Sequence, residues 1–78
     1  GPISVFPNPA KDFTMLSVPS DLENVTFKLI DFIGRNVYQG SFDSPSMNKV
    51  NLSSYHSGIY LAMIETKGLR QTVKLIID

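Results

Sequence analysis

The 78-residue chain contains no cysteine and no tryptophan, and His56 is its single histidine. Without cysteine there can be no disulfide, no thiolate metal site and no thiol nucleophile. A catalytic triad or a zinc centre at His56 would have to be completed by carboxylates alone, and no such spacing surrounds it. We therefore expect a non-enzymatic protein without a cofactor, in which His56 is a solvated loop residue.

The chain also lacks an excess of charge of either sign, because seven Lys and Arg side chains balance seven Asp and Glu side chains. Nucleic-acid binding needs a clustered basic excess, so no nucleic-acid partner is expected. The longest apolar stretch, residues 58–64, is far too short to span a bilayer. Six acidic residues lie near predicted turns, but no Asp-x-Asp-x-Asp run joins them, which disfavours calcium.

Apolar residues recur with a period of two, which is the spacing of β-strands. The pattern predicts strands at 3–6, 13–18, 25–30, 36–41, 49–52, 58–66 and 69–77. About seven short strands at roughly ten-residue spacing are typical of a β-sandwich. We predict one all-β domain over residues 3–78, an immunoglobulin-like β-sandwich of antiparallel strands with Greek-key connections. Gly1-Pro2 resembles the remnant of a tag, and the absence of an initiator Met suggests a fragment of a longer protein.

The last two predicted strands differ in pattern. Residues 58–66 are apolar on both faces, which predicts a central strand. In residues 69–77 one face carries polar side chains, and the other face, predicted to lie in the core, carries Leu69, Val73, Leu75 and Ile77.

Glycine and proline mark the predicted turns. Gly34 and Gly68 each close a four-residue segment, 31–34 and 65–68, where a type I turn followed by a left-handed residue favours glycine. Pro7-Asn8-Pro9 cannot continue a strand and must turn. Gly58 and Tyr60, at the start of a strand, resemble a tyrosine corner, in which the phenol hydroxyl bonds to the preceding loop.

Three blocks of the sequence carry a family resemblance. The first is residues 3–12, with Pro7-Asn8-Pro9 and the acid Asp12; the second is 28–37, with Asp31-Phe32-Ile33-Gly34-Arg35. The third runs from residues 50–54 through Gly58-Ile59-Tyr60 to 73–77. In this order and spacing the chain resembles the C-terminal sorting domain of proteins exported by the type IX secretion system of Bacteroidetes.

This resemblance implies a sorting signal rather than an enzyme. Such a domain directs a larger cargo from the periplasm through the outer-membrane translocon, with shuttle proteins and a cell-surface sortase as partners, so the cargo ends on the cell surface or secreted. The family's terminal signal corresponds here to Lys74, Leu75, Ile76 and Ile77, and its opening motif to Pro7, Asn8 and Pro9. Many members end on a basic or polar residue, whereas this chain ends on Asp78.

The last strand could act as the signal through its backbone. If it lies at a sheet edge, a receptor strand can extend the sheet and read the outward row Arg70, Thr72, Lys74 and Ile76. In a structural interpretation, Leu75 and Ile77 merely close the sandwich, and both descriptions can hold together. An exposed edge would also allow two copies to pair as a homodimer.

Two other functions compete with sorting. A passive or carbohydrate-binding module at the end of a secreted enzyme or adhesin fits the same fold, although sugar platforms usually present flat exposed aromatics. Tryptophan is absent, and the candidate surface rings are Tyr38, Phe42 and Tyr55. A small hydrolase lacks both a base–nucleophile pair and a core large enough to hold a pocket.

Overall fold

The computed structural model describes residues 3–19, 22–42 and 47–78. These residues form seven strands: β1 (Ser4–Phe6), β2 (Phe13–Ser17), β3 (Val25–Ile30), β4 (Asn36–Phe42), β5 (Met47–Asn51), β6 (Gly58–Thr66) and β7 (Leu69–Ile77). The all-β prediction is confirmed, and each predicted strand is present within two residues of its expected ends. The dipeptide Gly1-Pro2, the polar stretch at 43–46 and part of the turn at 19–21 lie outside the described residues.

The strands form two antiparallel sheets packed as a sandwich. One sheet has the order β1-β2-β5, and the other has the order β4-β3-β6-β7. Strands distant in sequence therefore become neighbours, with β2 beside β5 and β3 beside β6, as in immunoglobulin-like sandwiches. The two ends of the chain meet at an isolated parallel bridge between Ala10 and Ile77. The described residues contain no helix long and apolar enough to span a membrane.

The core lies between the sheets and is built from alternate residues of each strand. Phe27 and Leu29 of β3 are fully buried, as are Leu16 of β2 and Leu75 of β7. Burying a side chain of this size contributes about 1.5–3 kcal/mol each. The remaining buried apolar residues are Ile3, Ala10, Val18, Val25, Val50, Leu52, Tyr60, Ala62, Ile64 and Ile77.

Two threonines are buried among these apolar side chains, and both hydroxyls have partners. Thr14 Oγ1 donates to the Pro7 carbonyl at 3.0 Å, and Thr66 Oγ1 donates to the Glu23 carbonyl at 2.7 Å. A buried polar group without a partner would destabilise the fold, and within the described ranges no buried side-chain N or O atom is left unpaired. Each threonine therefore links a strand to a loop.

The two predicted glycine turns differ in geometry. The turn before Gly34 follows the prediction, since the Gly34 N–H donates to the Asp31 carbonyl at 3.0 Å and Gly34 has φ +90°. The β6–β7 connection is shorter than predicted, because Thr66 pairs with Leu69 and leaves a loop of only two residues. Lys67 and Gly68 both have positive φ, 43° and 80°, which is typical of a type I′ hairpin turn.

The prediction that β6 is a central strand is confirmed, whereas the predicted burial of Leu69 was wrong. β6 is central, between β3 and β7, but only one of its faces is covered. The side chains of Ile59 and Leu61 on the other face are 52% and 38% exposed. Leu69, predicted to lie in the core, is 65% exposed because it follows the hairpin turn at the end of the sheet.

Candidate recognition site at the C-terminal strand

The last strand, β7, occupies the edge of the four-stranded sheet and divides its side chains into two rows. The core row buries Leu75 and Ile77, which are 0% and 2% exposed. The outer row presents Arg70, Thr72 and Lys74 to solvent, with Ile76 half-buried at its end. A partner that binds the folded domain can therefore touch Lys74 and Ile76 but not the side chains of Leu75 and Ile77.

The backbone N–H and C=O groups of β7 also fall into two sets, one directed toward β6 and one directed away from it. In an antiparallel pair, alternate residues direct both N–H and C=O toward the neighbouring strand and the others direct them away. The Ile76 carbonyl accepts a hydrogen bond from the Ala10 N–H at 2.8 Å, so Ile76 faces away from β6. By the same alternation, Arg70, Thr72 and Lys74 also direct their backbone groups outward from the sheet.

The C-terminal half of this edge is covered by the loop after β1. The Asn8 carboxamide donates to the Lys74 carbonyl at 2.7 Å and accepts from the Ile76 N–H at 3.0 Å. The Asp78 N–H donates to the Ala10 carbonyl at 2.7 Å. The side-chain amide of Asn8 thus pairs with the edge as a backbone peptide group would. We call residues 8–10, which close the edge over residues 74–78, the clip.

The prolines on either side of Asn8 fit this position. Pro7 and Pro9 have no backbone N–H, so neither carries a donor that would be left unpaired where the chain leaves β1. Both are preceded by cis peptide bonds. The buried Thr14 hydroxyl holds the Pro7 carbonyl, which fixes the loop to β2. The predicted turn motif is therefore in direct contact with the predicted terminal signal.

A second tie between the chain ends was not predicted from the sequence. Gln71, in the core row of β7, donates from Nε2 to the Ile3 carbonyl at 2.8 Å. The sequence signal for this contact was that Gln71 is polar, whereas the other core-row residues of β7 are apolar. Ile3 thus contacts β7 through a core-row side chain, whereas Asn8 and Ala10 contact the backbone of the edge itself.

The second sequence block, residues 28–37, contains a turn held by its own side chains. Asp31 Oδ1 accepts from the N–H groups of Ile33 and Arg35 at 3.1 and 2.8 Å, and Oδ2 pairs with Arg35 Nε at 2.7 Å. Desolvation alone would raise the pKa of the Asp31 carboxyl. The hydrogen bonds from Arg35, its charge and the Ile33 N–H outweigh that effect and hold the pKa below its ordinary value of 3.8. The contacts of Asp31 and Arg35 fix the hairpin tip.

The third motif forms a corner. The Tyr60 hydroxyl donates to the His56 carbonyl at 2.7 Å, as in the tyrosine corner that the sequence resembles. Gly58 begins β6 beside it, and His56 is exposed. Asp12 contributes its backbone, since its carbonyl accepts from the Leu52 N–H at 2.8 Å. These residues join the loop before β6 to the rest of the sandwich.

The structure brings the second and third motifs together but separates them from Gly68. The side chains of Asp31, Arg35 and Tyr60, with Gly58, line an open cleft of about 200 Å³. Gly68 lies at the opposite end of the sheet, beside Arg70. In the described part of the chain, no group of three His, Cys, Asp or Glu side chains lies close enough to hold a metal ion.

Fold and site together define a β-sandwich module whose C-terminal strand lies at a sheet edge and is fastened to its N-terminal loop. Residues 4–78 match the secretion system C-terminal sorting domain family. The chain belongs to this family, and it is a sorting domain of the type IX, or Por, secretion system.

Two similar proteins are much longer than this chain. An endo-acting ulvan lyase of Formosa agariphila is 27% identical over 75 residues, which are 96% of this chain and 14% of the lyase. A solved structure of PorZ, an essential surface component of the type IX secretion system of Porphyromonas gingivalis, superposes with a TM-score of 0.77. That match has 19% identity and covers 97% of this chain and 11% of PorZ, so it establishes the fold.

Proposed function

We propose that this domain is the C-terminal sorting signal of a larger exported protein. It directs that cargo from the periplasm through the outer-membrane translocon, engages shuttle proteins and presents the cargo to a cell-surface sortase. The observation that supports this function most strongly is the family match over residues 4–78. The small share of the ulvan lyase that the chain covers supports a position within a larger cargo.

The partner-binding residues of this proposal are those that the folded domain exposes. Arg70 and Lys74 are exposed on the outer row of β7, and Ile76 is half-buried beside them. Pro7, Asn8 and Pro9 are exposed on the adjoining loop, so both predicted motifs contribute to one surface. Leu75 and Ile77 act indirectly, because their burial holds the outer row in position.

An export assay in a bacterium with a type IX system tests this function. A periplasmic reporter with a signal peptide would carry residues 3–78 at its C-terminus, beside a reporter without the domain. We expect the fusion with the domain on the cell surface or in the medium and the other in the periplasm. Retention of both in the periplasm, with the domain shown to be folded, would refute the proposal.

A substitution on the outer row tests its role in recognition. Lys74→Gln removes an exposed charge and should lower export without unfolding the domain. Lys49→Gln is the control, because Lys49 is also an exposed lysine but lies on β5, in the other sheet. Equal export of both variants would remove Lys74 from the recognition surface.

A further inference from the structure

We propose that the open part of the β7 edge, residues 70–74, is a strand-addition site for an extended segment of a partner protein bearing carboxylates. The inference rests on the proposed sorting function and deepens it, because it names the surface and the chemistry that the partner must present. Backbone pairing would supply the contact, and alternate side chains would supply the selectivity.

The backbone along this edge is paired at one end and open at the other. The outward C=O of Lys74, both outward groups of Ile76 and the N–H of Asp78 are paired with the clip. Among residues 3–19, 22–42 and 47–78, none pairs with the outward N–H and C=O of Arg70 and Thr72 or with the Lys74 N–H. The clip therefore sets the limit of the site, and a strand about five residues long can pair before reaching it.

The same segment carries two positively charged side chains. Arg70 and Lys74 lie on the outer row with Thr72 between them, and all three are exposed. The Arg70 guanidinium already forms an ion pair with Glu65 at 3.2 Å. Lys74 lies opposite the apolar Leu61 on the neighbouring strand β6. A strand added to β7 would place its alternate side chains beside this row, where carboxylates would meet two cations.

The other edge of the same sheet provides the comparison. In β4, alternation directs the backbone of Val37, Gln39 and Ser41 outward, and the Val37 carbonyl accepts from the Tyr55 hydroxyl at 3.1 Å. The side chains beside its open groups, Gln39 and Ser41, are uncharged. The two edges thus offer similar backbone groups but different charge, and the charge favours β7 for an acidic strand.

Binding can be measured directly on the 78-residue chain. The ¹⁵N-labelled protein would be titrated with a synthetic peptide that alternates glutamate and threonine, to about 5 mM because an isolated strand binds weakly. The amide resonances of Arg70, Thr72 and Lys74 should shift more than those of Gln39 and Ser41. A peptide with lysine in place of glutamate should shift them less. Equal shifts with both peptides, or none, would overturn the proposal.

A proline substitution blocks the site by removing an outward donor. Thr72→Pro replaces an N–H that faces away from β6, a position that edge strands tolerate. Ser41→Pro makes the same change at the other edge. Thr72→Pro should lose the peptide-induced shifts and reduce reporter export to the level without the domain, whereas Ser41→Pro should retain both.

The outcomes separate the two proposals. If the unsubstituted fusion is not exported, the sorting function itself fails. If it is exported, and folded Thr72→Pro is exported equally well, strand addition fails while sorting stands. Should Thr72→Pro not fold, the double variant Arg70→Gln/Lys74→Gln replaces it, with Lys49→Gln as control. Unchanged peptide binding and export by the double variant would overturn the acidic-strand proposal.

Discussion

Replacing Leu75 with alanine separates the structural row of β7 from its outer row. Leu75 is 0% exposed and lies opposite Tyr60 on β6, within the core between the sheets. Truncating a buried leucine removes its burial energy and leaves a cavity, which together cost about 2–5 kcal/mol. A domain of this length has a free energy of unfolding of about 4–12 kcal/mol, so the loss is a large fraction of it.

The expected change is large enough to measure by thermal unfolding. In a domain of this size 1 kcal/mol shifts Tm by about 4–8 °C, so Leu75→Ala should lower Tm by at least about 8 °C. Lys74→Ala, one residue away on the exposed row, should change the free energy of unfolding by less than about 0.5 kcal/mol. Far-UV circular dichroism during heating, and urea titrations analysed at constant m, would measure both.

The comparison refutes the reasoning if the two variants behave alike. A Leu75→Ala midpoint indistinguishable from that of the unsubstituted domain would mean that this side chain is not in the core. A Lys74→Ala variant as unstable as Leu75→Ala would mean that the outer row also holds the fold. In either case the two rows of β7 would not have separate roles, one in stability and the other in recognition.

Three further predictions concern the loops. Asn8→Ala removes both hydrogen bonds to the edge and should cost about 1–3 kcal/mol, with faster amide exchange at Ile76; unchanged exchange would argue against the clip. Tyr60→Phe removes the bond to the His56 carbonyl and should lower stability by about 1 kcal/mol in urea; an unchanged midpoint would show that the corner contributes nothing. Because the pKa of Asp31 is lowered in the folded state, its ionised carboxylate stabilises the fold at pH values above the unfolded pKa. This stabilisation is lost as the pH falls from about 4 through the folded pKa. Asp31→Asn should therefore flatten Tm against pH in that range, and an identical profile would contradict the prediction.

Local patterns accounted for the strands because alternation is a property of neighbouring residues. Val25, Phe27 and Leu29 alternate with more polar residues, and β3 is found as predicted with these three side chains buried. The turn at Gly34 followed from the same local reasoning. The β6–β7 turn did not, because the choice between a two-residue and a four-residue loop depends on the pairing register of Thr66 with Leu69.

Long-range contacts could not be predicted in this way. The residues of the opening motif were identified, but nothing near Asn8 in sequence indicates that its amide binds residues 66 and 68 positions away. The open face of β6 was not predicted, for a related reason. Ile59 and Leu61 have the apolar character of core residues, and whether another layer covers them depends on how many layers the whole fold has.

The measurement that tests the central claim most directly compares one reporter fusion in two strains. The reporter with residues 3–78 at its C-terminus would be expressed in a type IX-competent bacterium and in the same strain without its outer-membrane translocon. Fractionation would then give the share of reporter outside the outer membrane. We predict surface or secreted reporter in the first strain and periplasmic reporter in the second. Equal distributions in the two strains, with the domain folded, would contradict the claim that this domain is a sorting signal.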